Sequence, residues 1–340
     1  MRVLVSGSAG FVGGYLVAEL LARGHEVVGL DNFSKYGPVT RAHDADPRYR
    51  LVEGDARDSE LVYRLLDGCD HFVAGAAMVG GIGYYHAFPY DLLAANLRIC
   101  ASSADAAIRA RRGGPLQKLT YVSSSMVYES ASSWPTAEEQ ALASPPPPSF
   151  YGFGALAVDY LARAAWEQHG LAYTIVRPFN CVGVGERRAL VDERLGSGDL
   201  TLTLNHVVPD LVAKVLKGQD PLHVLGSGEQ VRCYIHGSDL ARGIATALEH
   251  PDARNEAVNL SSPQPTSVVE LAAAIWRKVY GPDAPLRVVH DTAFRDDVQR
   301  QHASTAKAER LLGFEPTITL DEMLDEVIPW VEEAIARDLI

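Results

Sequence analysis

The chain has 340 residues, 47% of them hydrophobic and 22% charged, enough for a large core in one or two closely joined domains. A net charge of −12, with no basic run beyond Arg109-Ala-Arg111-Arg112, argues against nucleic-acid binding; an anionic ligand must be held by local donors. No apolar run approaches the roughly 18 residues of a membrane span, and the first strand begins at once, so a cytoplasmic protein with no membrane partner is expected. Cys69, Cys100, Cys181 and Cys233 are scattered without ligand spacing; they read as reduced, and no metal site is expected.

The opening stretch, Val3-Leu-Val-Ser-Gly7-Ser-Ala-Gly10-Phe-Val-Gly13, predicts a buried strand that turns into a helix over about Phe11 to Arg23. Gly7 permits a tight turn, Gly10 leaves room for a pyrophosphate against backbone, and Gly13 lets the helix pack close. The helix start aims free N–H groups and its positive dipole end at an anion. Three glycines alone also suit an ordinary strand-to-helix turn. A second strand ending in Asp31 supplies the carboxylate that a ribose requires about 20 residues on. Asp31 would repel a 2′-phosphate, so the expected cofactor is NAD. The polar loop from Asn32 to Pro38 would lie at its adenosine edge.

Arg50 to Glu53 predicts a third strand that runs into Asp55 and Asp58, of which Asp58 is the better N-cap for a helix to Leu66. His71 to Ala77 is a fourth strand, opening on the glycine-rich loop Val79 to Gly83. A long helix follows over Asp91 to Arg112, with Asn96 on its apolar face as a satisfied core amide. Leu119 to Val122 is the fifth strand. A breaker run, Ser144 to Ser149, precedes an amphipathic helix over Tyr151 to His169, and a sixth strand begins at Tyr173. This alternation predicts an α/β fold with a doubly wound parallel Rossmann-type sheet. Residues 1–180, with a return near 234–262, form the expected NAD-binding part. Residues 181–233 and 263–340 form the smaller C-terminal substrate-binding cap, including helices at Ser267 to Tyr280 and Thr305 to Gly313.

The spacing Gly-x-x-Gly-x-x-Gly, with Asp31, Asp55, Ser124, Tyr151, Arg177-Pro-Phe-Asn180 and Gln230-Val-Arg232, resembles the extended short-chain dehydrogenase/reductases that act on nucleotide sugars. The resemblance spans essentially the whole chain. It implies a cofactor set of Gly7, Gly10, Phe11, Val12, Gly13, Asp31, Asn32, Asp55, Ala56, Ala76 and Tyr151. It implies Ser124 and Tyr151 as the catalytic pair. For a nucleoside-diphosphate sugar it implies Ser124, Ser125, Asn180, His206, Arg232, Arg295 and Asp297. Arg232 also reads as an ordinary strand arginine, and His206 as packing. The two long helices resemble the pair that forms a homodimer interface in this family.

A sugar hydroxyl must lose its proton as its carbon loses hydride, so a base is needed beside the cofactor. Tyrosine titrates near 10, and family members assist it with a lysine one helical turn later. At about 5 Å and an effective dielectric near 20 that charge is worth roughly 3 kcal/mol, about two pKa units. Here position 155 is alanine. Three readings follow: a lysine exchanged to hold substrate unreacted, a natural enzyme using the nicotinium charge and another base, or a non-catalytic NAD- and sugar-nucleotide-binding protein.

Ser125 and Met126 stand where similar dehydratases and decarboxylases carry acids, and Met126 where 3,5-epimerases carry cysteine. The stretches Val79 to Gly83 and Asn205 to Pro209 resemble the fucose-synthase branch, whose acid–base pair is absent. What remains is a 4-epimerase working through a 4-keto sugar, with a nucleotide-sugar oxidoreductase or dehydratase as the rival.

Overall fold

A computed structural model describes residues 1–80, 87–187, 195–197, 200–202, 206–293 and 297–340. The first half alternates strand and helix except between its second and third strands: β1 Arg2–Ser6, α1 Phe11–Ala22, β2 Glu26–Asp31, β3 Tyr49–Glu53, α2 Ser59–Leu65, β4 His71–Ala74, α3 Pro89–Gly113, β5 Lys118–Val122, α4 Phe150–His169 and β6 Tyr173–Pro178. Then come β7 Asn180–Val182, α5 Val207–Leu216, β8 Leu222–Leu225, β9 Val231–His236, α6 Gly237–Glu249 and β10 Glu256–Leu260. The chain closes with β11 Pro265–Ser267, α7 Val268–Tyr280, β12 Val288–Asp291, α8 Ala306–Leu312 and α9 Leu320–Ala336.

Seven parallel strands form one sheet in the order β10-β6-β5-β4-β1-β2-β3. The order reverses at β1, which pairs with β2 on one side and β4 on the other. In such sheets ligands bind outside the carboxyl ends at this switch point. Strand β1 shows why both faces are covered. Val3 and Val5 enter one cluster with Leu16, Leu20, Leu240 and Ile244 of α1 and α6. Leu4 points the other way, to Phe72, Ala106, Leu119 and Val158 with α3 and α4.

A separate cluster gathers α5, β8, α7 and α9 around Leu211, Val224, Leu271, Ile275 and Leu324. Helix α8 departs from its expected place in the cap. Ala308, Leu312 and the following Phe314 belong to the large-sheet cluster with Val3 and Leu16, not to the cap cluster. An amphipathic helix carries no mark of which core it will meet, and β10 brings this one back to the sheet. Asn96 is the satisfied amide expected, bonding both N–H and C=O of Met78 at 2.7 and 2.9 Å. No helix among the described residues is long and apolar enough to cross a membrane.

Candidate active site

The turn after β1 fits together only because Gly7 and Gly13 lack side chains. Gly7 has φ +75°, and a Cβ there would lie 2.9 Å from the backbone of Ala76 beyond β4. A Cβ on Gly13 would fall 2.0 Å from the Gly7 carbonyl oxygen, so a larger residue would push the turn apart. The free N-terminus of α1 therefore stands beside the end of β4. Asp31 is locked in place: one carboxylate oxygen accepts the Ala9 N–H at 3.0 Å and the other the Phe33 N–H at 2.8 Å. Asp55 is engaged by Arg57, whose hydrogen bonds hold its carboxyl below the usual range. Asp58, as expected, caps α2 through Glu60 N–H and Leu61 N–H.

The hydroxyl-bearing segment leaves β5. Ser124 Oγ accepts the Met126 N–H at 3.1 Å, starting a short 3-10 turn over Ser125–Tyr128. Opposite, Ser149 caps α4 by accepting the Gly152 N–H at 2.9 Å, which sets Tyr151 in the first helical turn. Glu129 fastens the two segments together. It accepts the Ser149 N–H at 3.0 Å and the Ser149 hydroxyl at 2.6 Å. The close approach requires Gly152, where a Cβ would meet the Met126 carbonyl at 2.6 Å. Ala155, one turn on from Tyr151, packs beside Val127 and Phe179, and its carbonyl accepts the Ser123 hydroxyl at 3.4 Å.

Behind this pair, buried Arg177 donates to the Tyr128 hydroxyl at 2.7 Å and to the Glu138 carbonyl at 2.9 Å, and it ion-pairs with Asp159 of α4. Tyr128 in turn donates to Asn259 of β10 at 2.7 Å. Four elements of the sheet layer are thus tied where Ser124 and Tyr151 emerge.

At the cap side, β9 alternates polar residues into the cleft. Arg232 is only partly exposed, its side chain 15% accessible, and its guanidinium donates to the Val231 carbonyl and to Asp297 at 3.0 and 3.3 Å. Burial lowers its pKa, with Asp297 opposing. Gln230 also donates to Asp297 at 2.8 Å, while its own side-chain oxygen has no partner among the described residues. The buried Tyr234 hydroxyl likewise lacks one, and burial raises its pKa. Asn180 donates to Gln301 at 3.3 Å, and Gln301 donates to the Met126 sulfur at 3.0 Å. His206 pairs with Glu186. Burial alone would lower the histidine's pKa and raise the carboxyl's, but their mutual charge and hydrogen bond prevail, so His206 is raised and Glu186 lowered.

The turn after β1, the Ser124 and Tyr151 segments and the Gln230, Arg232 and Asp297 side chains open on one cleft of about 1140 Å³. It is lined by Gly7, Gly10, Phe11, Val12, Gly13, Asp31, Asn32, Asp55, Ala56 and Ala76 at one end. Ser124, Ser125, Tyr151, Asn180, His206, Arg232 and Asp297 line the remainder. Every sequence-predicted site residue that the structure describes is therefore brought together. Arg295, residues 81–83 of the glycine-rich loop and Asn205 lie outside the described residues. Sequence reasoning missed Glu129, Glu186, Tyr234 and Gln301 and gave Gln230 no role beyond its motif; the period-two run Gln230, Arg232, Tyr234 was the one available signal. The cleft exceeds what one drug-sized ligand fills and suits a dinucleotide with a second ligand.

Residues 3–261 match the NAD dependent epimerase/dehydratase family. The chain belongs to that family. Its cofactor is NAD, which the glycine turn, the α1 N-terminus and the fixed Asp31 carboxylate fit. UDP-glucuronic acid decarboxylase 1 of Xenopus tropicalis is 29% identical over 337 residues, covering 98% of this chain and 73% of the relative. UDP-glucose 4-epimerase of Corynebacterium glutamicum is 29% identical, covering 94% and 92%. A double mutant of the dTDP-glucose 4,6-dehydratase DesIV from Streptomyces venezuelae, solved with NAD and DAU bound, superposes with TM-score 0.81 at 28% identity, covering 99% and 98%. The family acts on sugar nucleotides, and this chain is an NAD-dependent enzyme of that kind.

Proposed function

We propose that the protein is a nucleoside-diphosphate-sugar 4-epimerase. The reading rests above all on one feature of the cleft: Ser124 and Tyr151 line it together, and the next two residues are Ser125 and Met126. Elimination of water or relay of a proton at C5 needs an ionisable group there. A serine and a thioether, the latter fixed by Gln301, offer neither. Oxidation and re-reduction at one carbon need only a base that gives its proton back.

In this reading Gly7, Gly10, Phe11, Val12, Gly13, Asp31, Asn32, Asp55, Ala56 and Ala76 hold NAD, which when bound accepts a hydride and returns it. Tyr151 takes the proton from the sugar O4 hydroxyl and later restores it. Ser124 orients that oxygen. Asn180 and Arg232 hold the diphosphate end and Asp297 faces the nucleotide, while the 4-keto sugar turns to present its other face. His206 lines the passage between. Residues 1–180 and 234–262 serve the cofactor, and residues 181–233 with α7 and α9 serve the sugar nucleotide. The enzyme works as a homodimer through α3 and α4. The absence of a lysine at 155 favours one second reading, a binder of NAD and sugar nucleotide without turnover. Incubation with C4-epimeric pairs of sugar nucleotides separates the two: interconversion supports the epimerase, and unchanged sugars support the binder.

A further inference from the structure

Helix α1 begins against the usual rule. Its N-cap is Gly10, no side chain caps it and no acid stands in its first turn, whereas α2, α7 and α9 are capped and carry acids there. Instead a cation is brought to it. Arg41, in the loop after β2, donates to the Ala9 and Gly10 carbonyls at 3.1 and 2.8 Å. Gly14, a fourth glycine beyond the three of the turn, is what admits it: a Cβ there would collide with the guanidinium. Asp44 does not pair with that guanidinium; one of its oxygens accepts the Arg41 backbone N–H at 2.8 Å and the other faces His43 at 3.9 Å. Arg41 Nε is buried without a partner among the described residues, and burial with the Arg187 charge lowers its pKa, Tyr36 and Asp44 opposing. A positive charge at the positive end of a helix is unfavourable unless an anion shares the site.

We infer that Arg41 is a positioning residue for NAD: its guanidinium charges the first turn of α1 so that the turn grips the cofactor's diphosphate, without touching the cofactor itself. The inference rests on the diphosphate lying at that helix start. The two carbonyls that Arg41 engages belong to the peptide units that carry the Gly10 and Phe11 N–H groups. A carbonyl that accepts from a cation polarises its own peptide N–H. Phe11 lines the cleft, and its N–H, the first of the helix, has no intrahelical partner. It thus donates more strongly to an anion, and the guanidinium charge adds to the helix dipole in a half-buried place where screening is weak. A residue that only tethered the loop would make the same two bonds and would need no charge.

The test is calorimetric titration of the nucleotide-free full chain with NAD, beside thermal unfolding without it. Arg41→Gln keeps an N–H donor for the carbonyls and removes the charge; it should weaken NAD at least about tenfold and flatten the salt dependence of binding. Arg41→Lys keeps the charge and should stay within about threefold of the unmodified protein. The unfolding temperature without NAD should not fall in Arg41→Gln, because a charge at the wrong end of the dipole has gone. Unchanged NAD affinity of Arg41→Gln, or equal weakening in both variants, assigns Arg41 to tethering and overturns the inference. Phe11→Glu separates that failure from a misplaced diphosphate: its carboxylate suits a helix start, so the fold stands, and it should abolish NAD binding. If Phe11→Glu binds NAD as the unmodified protein does, the diphosphate lies elsewhere and the inference falls with that placement. If Phe11→Glu loses NAD while Arg41→Gln retains it, the placement stands and the inference alone falls.

Discussion

Replacing Ala155 with lysine isolates the base. Position 155 lies one turn beyond Tyr151 on α4, so a lysine there would place its ammonium about 5 Å from the phenol. At an effective dielectric near 20 the attraction to tyrosinate is roughly 3 kcal/mol, or about two pKa units. The ionised fraction near neutral pH would rise on the order of a hundredfold. Ala155 is half-buried against Val127 and Phe179, so part of that gain is lost to fitting the lysine stem. We expect Ala155→Lys to raise epimerase turnover at least about tenfold and to move the alkaline rise of the pH–rate profile downward. Tyr151→Phe added to the variant should remove the gain. An already fast enzyme that Ala155→Lys leaves unchanged would refute the assignment of Tyr151, since another group would then carry the proton.

Asp31→Ala should weaken NAD and improve NADP, read by fluorescence titration of both; native binding of NADP as tight as NAD would contradict the ribose role of Asp31. Asp159→Ala strands the buried Arg177 charge and should cost about 3–5 kcal/mol in chemical denaturation; a loss below about 1 kcal/mol would show that the pair does not stabilise the sheet layer. His206, with its pKa raised, contributes fully below its unfolded value of 6.5 and loses that contribution as pH rises through the folded value. Glu186, with its pKa lowered, contributes above 4.5 and loses it as pH falls through its folded value. His206→Gln should therefore destabilise the protein more at pH 5.5 than at pH 9 in denaturant titrations, and equal losses at both would deny the ion pair. The exposed aromatic residues Tyr90, Phe153, Tyr160 and Trp166 on α3 and α4 predict a dimeric mass in sedimentation that Tyr160→Glu reduces; a monomer at micromolar concentration would contradict the interface.

The cofactor end was legible because backbone alone explains it. Gly7 and Gly13 are demanded by a positive φ and by a carbonyl that leaves no room for a Cβ, and Asp31 ends a strand whose apolar run is plain. The sheet was legible from strands and helices of the right period. The cap side was less so. Gln230 meets Asp297 across 67 residues, and Glu129 meets Ser149 across 20, contacts that no local period announces. The same limit sent α8 to the wrong core: Ala308 and Leu312 give it an apolar face without naming a partner. Arg232 also read as an ordinary strand arginine, and the cap leaves its side chain only 15% exposed.

The most direct measurement is to incubate the NAD-loaded protein with C4-epimeric sugar nucleotides and follow both the isomer ratio and absorbance of reduced cofactor. The account predicts that either epimer drifts toward one common ratio, slowly and without net accumulation of NADH. Stoichiometric NADH, release of water or carbon dioxide from the sugar, or unchanged sugars after prolonged incubation would contradict it.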